Sequence, residues 1–305
     1  MRAMKIVTKL LSLLLIIASS VAATAAADEA KLKHALSFYA GAQGDGMKQP
    51  EDVACGDGTA ILVADTGNNR LLRYVLEEGK IKSVSEIRPP EMAAPIRVVT
   101  NSQGEIFVLD NRQRILRLNP QGAFQGQLAF EGVPAASSTV MPRALAVGPQ
   151  DELYVLDVFG ARVMVLNRTG AYQRQIDLPA DTGEASDIAV DAKGTVLIVD
   201  SVRSVILSAA KDDKGFTPLA HSLKDHVPFP LALATDARGM LFLPDRNAGS
   251  VVILRRDGSF AGRQLGKGWN EGLLRYPAHL CVSDKGQLFI ADRGNNRVQM
   301  FTIAY

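Results

Sequence analysis

A repeat of about 45 residues constrains the fold of this chain more than any other feature of its sequence. Six short apolar segments each end in an aspartate, and these aspartates follow one another at intervals of 45, 47, 43, 45 and 47 residues. They are Asp65, Asp110, Asp157, Asp200, Asp245 and Asp292. A proline stands fifteen residues before each of them, except in the fourth copy, which has Ala185. Repeats of this length in a constant register indicate a ring or array of equivalent structural units.

Each repeat contains the pattern of four short strands. The proline is followed by a short apolar segment, a turn with Asn, Asp or Ser first and Gly fourth, and then the alternating segment that ends at the aspartate. Two further apolar segments follow, separated by a turn that contains glycine. No stretch after residue 27 has helical periodicity. Four antiparallel strands recurring at this interval are typical of a propeller blade, so the sequence predicts an all-β, six-bladed β-propeller.

The repeats begin near residues 50, 95, 142, 185, 230 and 277, which makes residues 28–305 a single domain. The last repeat ends at Tyr305, directly after its third strand. We expect residues 34–41 to supply the missing fourth strand, so that blade six combines one N-terminal strand with three C-terminal strands. Such a closure pairs the edge of the third strand of that blade, which would otherwise stay exposed.

The first 27 residues have the pattern of a secretory signal peptide. Three cations (Arg2, Lys5 and Lys9) precede an apolar segment, and small residues end it at Ala25-Ala26-Ala27. The alternative is an uncleaved anchor, because 18 residues without a charge approach the length of a membrane span. With cleavage, the mature chain is expected in a bacterial periplasm or outside the cell, without membrane insertion.

Charge argues against some classes of partner. Without the three cations of the first 27 residues, the chain has 31 basic and 32 acidic side chains. A chain so nearly neutral lacks the general electrostatic footprint that nucleic-acid binding requires. We therefore expect a protein partner or a small ligand, and no nucleic acid.

The repeats resemble those of the NHL family, whose pattern continues after the aspartate as Asp-x-x-Asn-x-Arg. Blades one and six match it best, with Asp65-Thr66-Gly67-Asn68-Asn69-Arg70 and Asp292-Arg293-Gly294-Asn295-Asn296-Arg297. The resemblance implies the propeller fold, but propellers of this kind include binding modules, scaffolds, lyases and lactonases. Related lyases bind zinc through several histidines around the channel. Related lactonases bind calcium there through acidic and Asn side chains.

Only part of either metal site is present in the sequence. Of four histidines, only His279 stands at the start of an innermost strand; the others are His34, His221 and His226. Asp52 and Asp187 could contribute to a calcium site, but no Asn partner is evident. Calcium or zinc at the channel is thus an alternative, and we expect no cofactor. The six repeat aspartates lie too far apart around a ring to bind one ion, so we interpret them as structural.

The candidate binding site is the mouth of the channel, where the second residue after each proline begins an innermost strand. Polar side chains converging on a concavity favour a ligand site, and the alternative is a set of mutually neutralising charges. The only tryptophan, Trp269, is a candidate contact in the loop before blade six. The candidate ligand-binding residues are Asp52, Arg97, Arg143, Asp187, His279 and Trp269.

The two cysteines fall on the innermost strands of the neighbouring blades one and six. An oxidising compartment would allow Cys55 and Cys281 to form a disulfide, whereas free cysteines would be ordinary core residues. The sequence leaves both states open.

We assign no catalytic residue. The function that the sequence favours is an exported binding or scaffolding propeller that recognises a protein or small ligand at its channel mouth or loop face. The alternative is a metal-assisted lyase or lactonase that acts at the central channel.

Overall fold

The computed structural model describes residues 30–56, 58–134, 139–219 and 222–305. The expected signal peptide at residues 1–27 lies outside these residues, as does His221. The described chain folds into six four-stranded antiparallel sheets, each built from strands that are neighbours in sequence, apart from the first strand. It is therefore the predicted all-β, six-bladed propeller. The helical residues that the structure describes form short 3₁₀ turns, among them Thr66–Asn68 and Arg293–Asn295. None of the helices in these ranges is long and apolar enough to cross a membrane.

The strands occupy the positions that the repeat predicts. The innermost strands are Asp52–Cys55, Pro95–Thr100, Pro142–Val147, Ala185–Val190, Ala234–Thr235 and Leu280–Val282. The second strands are Ala60–Asp65, Ile106–Asp110, Leu153–Asp157, Val196–Asp200, Leu241–Asp245 and Gln287–Asp292. The third strands are Arg70–Glu77, Ile115–Leu118, Arg162–Leu166, Val205–Ala209, Ser250–Leu254 and Arg297–Ala304. The outer strands are Lys80–Ile87, Phe124–Gln127, Tyr172–Asp177, Thr217–Pro218, Phe260–Gln264 and, for blade six, Lys31–Phe38.

Blade six closes the ring with the first described strand of the chain. Lys31–Phe38 pairs antiparallel with Arg297–Ala304, and the sheet continues to the second and innermost strands of that blade. The strand lies three residues nearer the N-terminus than the expected 34–41. Its end is set by a turn, because the backbone N–H of Gly41 donates to the carbonyl of Asp45 and Ala40 forms a bridge to Gly46.

The antiparallel order gives the propeller two different faces. The loops from the second to the third strand and from the outer strand to the next blade lie at one end of the strands, which we call the loop face. The turns between the other strands lie at the opposite end, which we call the turn face. Every repeat aspartate ends a second strand, so all six border the loop face.

The repeat aspartates organise the loops beside them. Asp65, which is fully buried, accepts hydrogen bonds from Arg70 Nε (2.6 Å), Asn68 Nδ2 (2.9 Å) and the backbone N–H of Lys48 (2.7 Å). Asp200 has no arginine at the equivalent position and accepts only backbone donors, such as the N–H of Gly183 at 2.8 Å. This agrees with the structural interpretation, because buried carboxylates need such partners.

A disulfide joins the two blades on either side of the closure. Cys55 and Cys281 lie on innermost strands with their Cα atoms 6.0 Å apart, and their sulfur atoms are bonded. The bond connects positions 226 residues apart in sequence. It supplements the pairing of the first strand with blade six.

Candidate functional site

Four of the six residues expected at the channel mouth or its loop meet at the axis of the ring. Asp52, Arg97, Asp187 and His279 are the second residues after the repeat proline position in blades one, two, four and six. In blades two and four, the register between the innermost and second strands shifts between residues 95 and 97 and between 185 and 187. A bulge of this kind redirects the following side chain, here Arg97 or Asp187.

His279 lies between two carboxylates that come from opposite blades. Its Nδ1 is 2.5 Å from Asp52 Oδ1, without the angles of a hydrogen bond, and its Nε2 is 3.3 Å from Asp187 Oδ2. Arg97 Nε approaches the other oxygen of Asp187 at 3.8 Å. The four side chains therefore form one ionic cluster across the axis, with two carboxylates facing two cationic groups.

The electrostatics of the cluster favour its charged form. Burial opposes the charge of the imidazole, but the carboxylates of Asp52 and Asp187 outweigh it and raise the pKa of His279 to about 9. Burial likewise opposes the charge of Asp52. The charge of His279, with smaller contributions from Arg97 and the N–H of Val98, outweighs this and lowers the pKa of that carboxyl. At neutral pH the cluster has no net charge.

The two carboxylates also join neighbouring blades. Asp52 accepts a hydrogen bond from the backbone N–H of Val98 in blade two (2.6 Å), and Asp187 accepts one from the N–H of Leu233 in blade five (3.0 Å). Both aspartates are 1% exposed. The pair of Arg97 and Asp187 belongs to the neutralising charges that the sequence left open as an alternative, whereas Arg143 pairs with Glu184 and Glu51 pairs with Arg293.

Below the cluster, the channel is narrow and mainly apolar. Its cavity has a volume of about 200 Å³, and its walls are the innermost strands, including Val98, Leu145, Ile188 and Leu233, with His279 at one end. Three buried polar atoms of the cluster lack a hydrogen-bond partner within the described chain, namely Arg97 Nε, Asp187 Oδ1 and His279 Nδ1. The polar chemistry of the channel is thus concentrated at the loop face.

The cluster does not have the geometry of a metal site. Asp52 and Asp187 lie against different nitrogens of the His279 ring, so their oxygens do not converge on one point. Within the described ranges, no group of three or more His, Cys, Asp or Glu side chains is arranged to hold a metal ion. His34 lies on the outer strand of blade six, and His226 stacks on Phe260 at 3.9 Å, outside the channel. The residues present therefore do not fit the calcium or zinc alternative.

The other two candidate residues lie away from the axis on the loop face. Arg143 pairs with Glu184 at 2.8 Å, beside a cleft of about 280 Å³ between blades three and four. Trp269 lies in the loop before blade six and is 67% exposed. The structure thus separates the six candidates into an axial cluster and two positions nearer the rim.

Sequence reasoning missed the apolar character of the loop face. Eleven large apolar side chains of the described chain are exposed, and eight of them belong to loops of this face. The eight are Tyr39, Met141, Val158, Phe159, Val202, Phe229, Trp269 and Tyr276. The sequence does contain an indication of these apolar side chains. Phe159 and Val202 stand two residues after a repeat aspartate, where blades one and six have glycine.

A cavity of about 790 Å³ lies on the opposite, turn face. Some of its polar groups are bonded within the fold, since Asp151 accepts hydrogen bonds from the N–H and the hydroxyl of Ser102 at 2.8 and 2.6 Å. None of the six candidate residues lines this cavity.

Comparisons with known proteins agree with this architecture. The family model described as NHL repeat matches residues 274–301. A search of curated proteins found no match. Among solved structures, a streptogramin B lyase is 13% identical with a TM-score of 0.63, and the match covers 90% of this chain and 98% of the other.

Two further structures show the same fold. A virginiamycin B lyase from Staphylococcus aureus is 14% identical (TM-score 0.59; 90% of this chain and 100% of the other). A gluconolactonase from Xanthomonas campestris is 16% identical (TM-score 0.65; 91% of this chain and 95% of the other). Likeness at this level of identity concerns the fold alone. The chain is therefore a six-bladed β-propeller with an NHL repeat in its last blade.

Proposed function

We propose that the protein is an exported binding or scaffolding propeller whose partner contacts the loop face. The observation that carries this proposal is the location of eight of the eleven exposed large apolar side chains on that face. Clustered exposed apolar side chains mark interaction sites on soluble proteins, whereas scattered ones are normal. The three others lie on outer strands or at the C-terminus, where no such cluster forms.

Export is supported by two independent features. The first 27 residues have the pattern of a cleaved secretory signal. The disulfide between Cys55 and Cys281 suits an oxidising compartment such as a periplasm or the cell exterior. Determination of the N-terminal residue of the protein recovered from its producing cells tests this part, with Asp28 as the expected first residue.

The loop face is tested by changing it without changing the fold. In one variant, Phe159, Phe229 and Trp269 are each replaced by serine; in the control, Lys193 and Lys285 of the turn face are replaced by glutamine. Exposed substitutions of this kind cost roughly 0.5 kcal/mol or less each, so both variants are expected to fold. Each protein is immobilised and exposed to an envelope extract, and the bound proteins are compared with those bound by the unchanged chain.

The proposal predicts that the loop-face variant loses specific partners that the unchanged chain and the control both retain. If the loop-face variant captures the same proteins in the same amounts, the partner does not use this face. Equal loss in both variants would indicate adsorption that depends on general surface properties.

A second candidate is a lyase or lactonase that acts at the channel mouth. It is supported by the likeness to lyase and gluconolactonase propellers and by the position of His279 at the axis. With its pKa raised to about 9, His279 is protonated at neutral pH and would donate a proton instead of accepting one. Assays with a streptogramin B antibiotic and with gluconolactone test this candidate, and turnover that disappears in His279→Ala but persists in Lys285→Gln would establish it.

A further inference from the structure

The loop at residues 265–276, between blades five and six, is held in one conformation by the third strand and second-to-third loop of blade six. Arg297 donates hydrogen bonds to the carbonyls of Asn270 and Leu273 at 2.8 and 2.9 Å, and Asn295 donates one to the carbonyl of Gly268 at 2.9 Å. Backbone bonds within the loop add to these contacts. The loop is therefore ordered before any partner arrives, which reduces the entropy lost on binding.

This ordered loop presents aromatic and cationic side chains together. The guanidinium carbon of Arg275 lies 3.8 Å from the centre of the Trp269 ring, and Lys267 Nζ lies 5.3 Å from the centre of the Tyr276 ring. Trp269 remains 67% exposed and Tyr276 38% exposed. Tryptophan, tyrosine and arginine are the residue types that contribute most to binding at protein interfaces.

Two further exposed apolar side chains lie on neighbouring loops of the same face. Phe229 before blade five is 62% exposed, and Val202 in blade four is 54% exposed. Apolar contacts spread over loops of three neighbouring blades form a broad surface, in contrast to the concave pockets that enclose small ligands. A protein surface is the partner that can contact several of them at once.

The charges on this part of the face are mainly positive. Four cations in the loops of this part of the face have no carboxylate of the described chain within ion-pair distance. They are Lys224, Arg246, Lys267 and Arg275. The only unpaired acids in the same loops are Asp225 and Glu271, and Glu271 accepts a hydrogen bond from Tyr39 at 2.8 Å. Four cations against two carboxylates complement an acidic partner.

We propose that Trp269 and the cations around it form the anchor for an acidic, apolar segment of a protein partner. The inference rests on the proposed function, because it specifies the chemistry of the partner at the loop face. The aromatic rings bury apolar side chains of that segment, and Arg275 and Lys267 face its carboxylates.

The test uses three synthetic peptides of equal length in which Phe and Leu alternate with Glu, Gln or Lys. Trp269 is the only tryptophan of the chain, so its fluorescence reports binding at this loop directly. The anisotropy of a dye attached to each peptide gives a second measurement that does not depend on Trp269. The protein variants are Trp269→Ser and Arg275→Gln, with Lys285→Gln on the turn face as the matched control.

We expect the Glu peptide to bind about tenfold or more tightly than the Gln peptide, with the Lys peptide weakest and with binding of the Glu peptide weakened by salt. Trp269→Ser should weaken the binding of the Glu peptide about thirtyfold, as expected for a central aromatic contact. Arg275→Gln should weaken the binding of the Glu peptide several-fold and reduce the preference for the Glu peptide over the Gln peptide. Lys285→Gln should leave the binding of all three peptides unchanged.

Two outcomes would overturn the inference while leaving the proposed function intact. If the Gln or Lys peptide binds as tightly as the Glu peptide and still depends on Trp269, the face binds proteins without a preference for acids. If no peptide binds, although the triple loop-face variant loses partners from the envelope extract, the partner uses the loop face by another chemistry. If the variants keep both the binding of the Glu peptide and the envelope partners, the inference and the proposed function are both refuted.

Discussion

Reduction of the disulfide between Cys55 and Cys281 should destabilise the propeller measurably. The bond closes a loop of 226 residues, and the chain-entropy model gives such a loop about 5 kcal/mol of stabilisation. Measured contributions of disulfides are usually smaller, at roughly 2–4 kcal/mol. The pairing of Lys31–Phe38 with blade six exists only in the folded chain, so it does not replace the constraint that the disulfide places on the unfolded chain. We therefore expect a loss of about 2–4 kcal/mol in the free energy of unfolding.

The assay is thermal and urea unfolding of the protein with and without a reducing agent. For a domain of this size, the expected loss corresponds to a fall in the unfolding midpoint of roughly 3–7 °C. The variant in which both cysteines are replaced by alanine supplies the control. It should unfold near the midpoint of the reduced protein and should not respond to the reducing agent.

Equal unfolding midpoints of the oxidised and reduced proteins, once mass spectrometry has confirmed reduction, would contradict this prediction. That result would mean that the disulfide does not restrict the unfolded chain enough to change the stability of the propeller. A response of the double alanine variant to the reducing agent would show instead that the reagent acts elsewhere.

Three further predictions follow from the closure and the axial cluster. Because the pKa of His279 is raised from 6.5 to about 9, its stabilising contribution should be fully present below pH 6.5 and be lost as the pH rises through 9. The free energy of unfolding measured between pH 6 and 10 should therefore fall more steeply in the unchanged protein than in His279→Gln. Parallel curves would contradict this. A chain that begins at Gly44 lacks the outer strand of blade six, so it should unfold at a clearly lower temperature or aggregate. An unchanged midpoint of thermal unfolding would show that the ring closes without Lys31–Phe38. Because Asp52 and Asp187 face different nitrogens of His279, metal analysis of the purified protein should find neither calcium nor zinc in stoichiometric amount. A stoichiometric ion that is lost in Asp52→Asn would overturn this interpretation of the cluster.

The architecture of this protein follows from its sequence alone. A propeller blade forms from strands that are adjacent along the chain, so a repeat of the right length, with its proline, turn and aspartate at constant offsets, specifies each sheet locally. The same locality explains why the sequence alone identifies Asp65 and Asp292, which are followed by Asn and Arg at the expected spacing, as structural. The outer strand of blade six was predictable because the last repeat lacks one, although its bounds depend on the turn at Gly41.

The make-up of the channel mouth and of the loop face depends on tertiary contacts. The sequence placed Asp52, Asp187 and His279 at equivalent positions of different blades, but their contacts depend on how far each side chain reaches across the axis and on the bulges that aim it. Likewise, the exposure of Trp269 is set by hydrogen bonds from Arg297, whose side chain belongs to the following blade. Such contacts join residues that no local pattern relates, because the curvature of the ring brings them together.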